Sequence, residues 1–120
     1  MVTNAGGAYR DGMDSALRHG LQTDLRVALA NRDGLRLSVL RTTLSALSNA
    51  EAVDPAEHAP GVSEVPRRVL ADEEIRSVVE RERDELRLTA HRMHRVGAHD
   101  RARELLDQAA VLDAHLGSAQ

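Results

Sequence analysis

Apolar residues recur at helical spacing along most of the chain, and this pattern restricts it to α-helical folds. In residues 13–30 the apolar positions repeat every four residues, and in residues 35–51 they alternate steps of three and four. No stretch shows the period-two alternation of a half-buried β-strand. The leucines that carry these two stripes are Leu17, Leu21, Leu25, Leu29, Leu37, Leu40, Leu44 and Leu47. The spacing predicts an all-α protein.

Turn residues divide this pattern into helices. Asp33 lies in a short turn and is a candidate N-cap for the helix that follows, while Gly97 is a candidate C-cap. Short turns between helices favour antiparallel hairpins. The predicted helices are residues 13–30, 35–51, 72–96 and 99–116. Two hairpins that cover each other's apolar faces predict a four-helix antiparallel bundle.

Prolines mark the boundary between the two predicted hairpins. All of them fall within residues 52–71, which predicts a long surface loop, more a variable linker than part of the core. The prolines are Pro55, Pro60 and Pro66. Residues 13–116 form the expected helical domain. We expect a flexible tail over residues 1–12 and a short tail over residues 117–120.

Composition excludes several classes of chemistry. The chain has no cysteine, which excludes disulfides, thiolate zinc sites and a cysteine nucleophile. All 16 basic residues are arginine, so a Schiff-base lysine or a P-loop lysine is excluded too. The net charge of -3 provides no overall field toward nucleic acid or membranes. With no membrane span or secretory signal in the sequence, we expect a cytoplasmic protein.

A histidine cluster is the one pattern that suggests a metal. His91 and His94 stand three residues apart, and His99 follows the glycine turn. Such a pair could share a metal ion, yet the spacing places no third ligand beside it. Histidines near a helix C-terminus also complement the helix dipole when they are protonated. We therefore expect no metal site, no cofactor and no catalytic residues, since no nucleophile–base motif is present either.

Arginines are the candidate binding residues. Several of them follow the third predicted helix, where they could form a phosphate-binding stripe or a solvated face. Acidic residues three or four positions away favour the solvated face with local ion pairs. The single aromatic residue, Tyr9, leaves no platform for stacked bases, so any RNA contact would be to the backbone. The stripe consists of Arg81, Arg83, Arg87, Arg92 and Arg95.

A carboxylate interrupts the apolar stripe of the third helix. Glu82 falls between Val79 and Leu86 in that stripe, and a lone carboxylate that faces a core is costly unless it is paired. Arg41 borders the stripe of the second helix. We predict a structural ion pair between Arg41 and Glu82 in preference to a catalytic acid, because no second polar group joins it at a readable spacing.

Two stretches carry a family resemblance. Residues 32–51 read RDGLRLSVLRTTLSALSNAE, and residues 72–102 read DEEIRSVVERERDELRLTAHRMHRVGAHDRA. Both resemble the YqeY family, whose members have an LRLSVLR-type helix that ends in an asparagine–acid pair. A variable loop and a DEE-initiated helix that ends at a glycine turn then follow. The positions that match are Arg36, Arg41, Asn49, Glu51, Glu82, Arg87 and Gly97.

This resemblance implies a fold of helical hairpins and a relation to GatB, the B subunit of the tRNA-dependent amidotransferase. The sequence is similar to a short form that lacks the family's second helical domain. The expected function is an accessory or binding domain related to carbon–nitrogen ligases with glutamine as amido-N-donor, without catalysis of its own. The expected partners are tRNA or a protein of the amidotransferase or translation machinery, with no membrane.

Two alternatives remain open at the level of sequence. The chain could contact the tRNA backbone through four arginines, which would make binding steeply dependent on salt. It could instead be a protein-interaction or self-association module that uses an exposed apolar helix face. The sequence leaves the oligomeric state undetermined. The four candidate arginines are Arg36, Arg41, Arg81 and Arg87.

Overall fold

The computed structural model describes the backbone of residues 2–52 and 69–118 and the side chains of residues 16–52 and 69–117. It confirms the predicted all-α four-helix bundle. The closest-packed pairs are α1 with α2 and α3 with α4, which are the two predicted hairpins. The helices are α1 (Val2–Ala30), α2 (Gly34–Glu51), α3 (Asp72–Arg95) and α4 (His99–Ser118).

The turn between α1 and α2 is a Schellman motif. The N–H of Asp33 donates to the carbonyl of Ala28 at 2.9 Å, and the N–H of Arg32 donates to Leu29 at 3.2 Å. Arg32 takes the left-handed position of the motif, with φ of 55°. Asp33 then caps α2, because its side chain accepts from the N–H of Arg36 at 3.2 Å. The predicted N-cap is thereby confirmed.

The turn between α3 and α4 repeats this motif with glycine at the left-handed position. Gly97 has φ of 86°, its N–H donates to His94 at 3.1 Å, and the N–H of Ala98 donates to Met93 at 2.8 Å. The C-cap is Val96, so Gly97 follows the cap instead of forming it, and α3 ends one residue before the predicted bound. Glycine suits this position because it has no Cβ to resist a positive φ.

The start of α3 corrects one prediction about the proline-containing loop. Leu70 lies within the predicted loop over residues 52–71, yet it is buried in the main core. It directly precedes the N-cap residue Ala71 and joins the same core as Ile75, which is the arrangement of a hydrophobic staple. The carboxylate of Glu74 accepts from the Ala71 N–H at 3.0 Å. Residues 53–68 of the predicted loop lie outside the described residues.

Two helix ends differ from prediction. The helix α1 begins at Val2, so the backbone of the predicted tail over residues 1–12 is helical after its first residue. Glycines in that segment lower helix propensity, but without a proline they do not forbid a helix. The helix α4 extends to Ser118 and includes Gly117, where a helix end was predicted. A glycine in the last turn is tolerated because few residues beyond it need its helical conformation to continue the helix.

The main core lies where both hairpins meet. Its largest fully buried side chains are leucines from three helices, and burial of a leucine stabilises a fold by about 1.5–3 kcal/mol. Thr43 is buried among them, and its hydroxyl donates to the carbonyl of Val39 at 2.7 Å, which satisfies the polar atom. These leucines are Leu21, Leu40, Leu47 and Leu112.

A second, smaller core lies at the turn end of the α3–α4 hairpin. It consists of Ala90, Ala102 and Leu105, with Met93 and Leu86 packed against it. All of these residues belong to α3 and α4, so the segment is held by two helices and not by four. We refer to residues 87–107 as the hairpin tip.

Candidate binding groove between α2 and α3

Arg36, the first candidate binding residue, is held in a polar cluster that links three helices. Its guanidinium donates to the carboxylate of Asp24 in α1, with Nε–Oδ1 and Nη2–Oδ2 distances of 3.2 and 2.5 Å. The Nε2 atom of His115 in α4 donates to the same carboxylate at 2.7 Å. The side chain of Asp24 is only 13 % exposed. Arg36 therefore anchors helices to each other.

Asp24 is stabilised as a carboxylate in this cluster. Burial acts to raise the pKa of Asp24, but hydrogen bonds and positive charge from Arg36 and His115 outweigh burial and lower the pKa below its ordinary value of 3.8. Gly20 contributes space, since a Cβ there would lie 3.3 Å from Nδ1 of His115. Sequence reasoning missed this cluster, because its members are distant in sequence and only hairpin packing brings them together.

Arg87, another of the four candidate arginines, is also engaged within the protein. Its guanidinium forms an ion pair with Asp113 of α4. Arg83, one helical turn earlier, donates to the same carboxylate at 3.2 Å and to Asp84 at 3.0 Å. The pairs with Asp113 connect α3 to α4, whereas the expected pairing was with acids three or four positions away on the same helix.

The predicted ion pair between Arg41 and Glu82 is wrong. Among the described residues, no hydrogen bond or ion pair joins these two side chains, and Arg41 is exposed. Both residues nevertheless line one open groove between α2 and α3, together with Thr42, Ser45 and Asn49. The exposed Arg41 and the half-buried Glu82 thus lie on the same groove without pairing.

Glu82 is the titratable group of this groove. It is half-buried, and burial raises its pKa above the ordinary value of 4.5, while Arg81 lowers it and Glu85 raises it further. A carboxylate that is partly desolvated and not neutralised by a salt bridge is a favourable acceptor for a partner's N–H groups. The groove thus offers one acceptor at Glu82 and one cation at Arg41.

Arg81, the remaining candidate arginine, lines a separate groove at the α2–α3 contact. Leu70 and Val78 form its apolar part, and Glu73 and Glu74 lie along its rim with Arg81. Arg81 is exposed and has no ion pair within the described part of the chain. Two acidic residues of the lining, Glu73 and Glu74, offset part of its charge.

The structure sorts the seven residues that match the YqeY pattern into two groups. Four have a structural explanation: Arg36, Glu51 and Arg87 form ion pairs, and Gly97 takes a positive φ in a turn. Glu51 pairs with Arg18 at 2.8 Å. The other three come together in the α2–α3 groove, and they are Arg41, Asn49 and Glu82.

The histidine cluster is only partly assembled. Nδ1 of His94 lies 2.9 Å from Nδ1 of His99, and the rings meet edge to face at 4.5 Å between centroids. Which of the two nitrogens donates depends on the tautomers of the rings. Within the described ranges, no three histidine or carboxylate side chains are grouped so that they could bind a metal ion.

Comparisons of the chain with protein-family models, with curated proteins and with solved structures found no match. The resemblance to the YqeY family therefore stays a prediction based on the matching residues. Within the described residues, none of the helices combines the length and the apolar character that a membrane crossing requires.

Proposed function

We propose that the chain is a YqeY-like accessory module without catalysis of its own. It binds a component of a glutamine-dependent tRNA amidotransferase, a carbon–nitrogen ligase with glutamine as amido-N-donor, through the α2–α3 groove. The observation that carries the proposal is the convergence of Arg41, Asn49 and Glu82. Within the described part of the chain, these three residues form no side-chain hydrogen bond or ion pair, and they line one surface.

The chemistry of the groove suits a protein partner. Its lining is mostly uncharged, since Thr42, Ser45 and Asn49 lie between the single cation and the single carboxylate. Interfaces between proteins are depleted of charged residues at their centres and use a few polar groups to fix orientation. A partner segment that offers a carboxylate to Arg41 and an N–H group to Glu82 would match both ends of the groove.

The test is direct binding of the purified chain to the purified tRNA-dependent amidotransferase of the same cell, measured by calorimetry. We expect the double variant Arg41→Ala, Asn49→Ala to bind at least about tenfold more weakly, which corresponds to about 1.4 kcal/mol. Ser38→Ala, an exposed change on α2 outside the groove, is the matched control. Wild-type chain that does not bind, or a groove variant that binds like wild type, would refute the proposal.

A second candidate function is contact with the backbone of tRNA. It is favoured by one observation, that Arg41 and Arg81 are exposed and carry no ion pair among the described residues. Their alanine variants should then weaken tRNA binding and flatten its salt dependence by about one unit of slope per arginine. Affinity capture from lysate with and without ribonuclease separates the two functions, because only a protein partner survives the nuclease.

A further inference from the structure

Charge is distributed unevenly along α3, and this polarity sets its two ends apart. From residue 72 to residue 85 the helix carries seven acidic residues and three arginines. From residue 86 to its end it carries three arginines, two histidines and no acidic residue. Cations in a last helical turn complement the helix dipole, but that effect fades beyond one turn and does not account for the whole segment.

The hairpin tip as a whole is basic in an acidic protein. Residues 87–107 contain five arginines against three acidic residues, whereas the whole chain has a net charge of -3. The acidic residues are Asp100, Glu104 and Asp107, and all of them belong to α4. Glu104 is engaged by Arg101 at 3.3 Å. The tip also holds three of the six histidines of the chain, namely His91, His94 and His99.

Three arginines of the tip have no partner within the described chain. Arg92, Arg95 and Arg103 are exposed, and no hydrogen bond or ion pair to a described side chain engages their guanidinium groups. Arg92 and Arg95 stand three residues apart, so they are neighbours on the surface of α3. His91 precedes Arg95 by one helical turn and lies beside them.

The histidines extend this cationic surface from α3 to α4. The contact between His94 and His99 spans the turn, and His99 stands four residues before Arg103 on α4. Arginines from both helices thus border a short row of imidazole rings.

We propose that the hairpin tip is a binding surface for the phosphate backbone of a nucleic acid. Exposed, unpaired guanidinium groups bind phosphate oxygens through charge-assisted hydrogen bonds without any need for stacked bases. The chain has one aromatic residue and no tryptophan or phenylalanine, which disfavours both base stacking and insertion into a lipid surface. This surface is separate from the α2–α3 groove and does not depend on the function proposed for it.

The proposal is tested by fluorescence anisotropy with two probes, a short single-stranded RNA of mixed sequence and a duplex DNA of matching length. The tip variant is Arg92→Ala, Arg95→Ala, and the charge-matched control is Arg26→Ala, Arg32→Gly, whose arginines are exposed at the opposite hairpin. We expect the tip variant to lose at least about tenfold in affinity at low salt. For this variant, the slope of log affinity against log salt concentration should be shallower by about 1.5–2, because two phosphate contacts are lost.

Tighter binding of one probe than of the other tells whether RNA or DNA supplies the phosphates, and either preference supports the proposal.

Three results would overturn it. Wild-type chain could fail to bind both probes at about 50 mM salt. The control could lose as much affinity as the tip variant, which would place the contact elsewhere. Polyglutamate could bind as tightly as RNA and DNA, which would show adsorption of any polyanion. Circular dichroism and thermal melting check that the variants fold, and no loss is expected, because the substituted arginines contact no described partner.

Discussion

We refer to the main core and the ion pairs around it as the base of the bundle. The base and the hairpin tip are built from the same residue types, yet they use them differently. At the base of the bundle, arginines form ion pairs with carboxylates: Arg36 with Asp24, and Arg83 with Asp113. At the hairpin tip, Arg92 and Arg95 have no such partner among the described residues. The base also buries large leucines between four helices, whereas the tip core holds two alanines and one leucine between two helices. Arg36 and Arg83 therefore stabilise the fold at the base, whereas Arg92 and Arg95 are available for binding at the tip.

Core truncation should show the largest difference between the two regions. Leu112 in the base is fully buried, and Leu112→Ala should lower the free energy of unfolding by about 3–5 kcal/mol, because a four-helix core cannot close around the cavity. Leu105→Ala in the tip should cost about 2–3 kcal/mol, since two helices can approach each other more easily. Urea unfolding measures both, and an equal loss at the two sites would contradict the comparison.

The cluster around Asp24 tests the base alone. Asp24→Asn removes the negative charge shared by Arg36 and His115 and one of the two acceptor oxygens, and should cost about 1–3 kcal/mol at neutral pH, between the values of exposed and buried pairs. Because the pKa of Asp24 is lowered in the fold, its contribution is fully present above about pH 4 and is lost as the pH falls through that lowered pKa. Urea unfolding at several pH values should show the gap between wild type and variant closing in acid.

Asp107→Asn is the control for that experiment, since Asp107 is exposed and has no ion pair in the described structure. Its stability should stay within about 0.5 kcal/mol of wild type at every pH. A gap for Asp24→Asn that does not change with pH would show that packing, and not charge, holds the cluster together.

The two Schellman turns allow a smaller, matched comparison. Gly97→Ala at the tip should destabilise by about 1 kcal/mol, because φ of 86° is unfavourable for a residue with a Cβ. Arg32→Gly in the α1–α2 turn should stabilise the fold by about 0.5–1 kcal/mol, because it removes the backbone strain of a non-glycine residue at φ of 55°. Thermal unfolding monitored by circular dichroism measures both, and shifts of the same sign would contradict this account of the turns.

Single arginine substitutions should have the smallest effects on stability. Arg92→Gln and Arg95→Gln should each change the free energy of unfolding by less than about 0.5 kcal/mol. Arg83→Gln, which breaks contacts to Asp84 and Asp113, should cost up to about 1 kcal/mol. Guanidinium salt would screen these charges, so the measurement uses urea. A larger loss at the tip than at Arg83 would show that the tip arginines have a structural role.

The sequence predicted the helices well because their signals are local. Leucine spacing, the Asp33 cap and the Gly97 turn each act within a few residues. The main difference at a boundary is the start of α1 at Val2, because the apolar repeat that predicted this helix begins only at residue 13. Leu70 was missed for a related reason, since a proline-containing stretch was assigned to a loop although its last residues staple the next helix.

The candidate groove was less predictable because it depends on the register between helices. Periodicity placed Glu82 on an apolar stripe, but it could not show that Arg41 stays in solvent beside it. Likewise, the acids that engage Arg36 and Arg87 are 12 and 26 residues away. Local spacing rules reach only three or four residues, so they could not separate these paired arginines from the unpaired ones.

The meeting point of the two hairpins has a consequence for how this chain can vary in length. Ala50 near the end of α2 and Leu70 just before α3 line the same groove, so the two helix ends that are connected here lie close together. The entropy of closing such a connection grows only with the logarithm of its length, at about 0.6 kcal/mol per doubling. A tag or a whole inserted domain between residues 53 and 68 should therefore leave both hairpins folded, which makes this junction the natural position for engineered fusions.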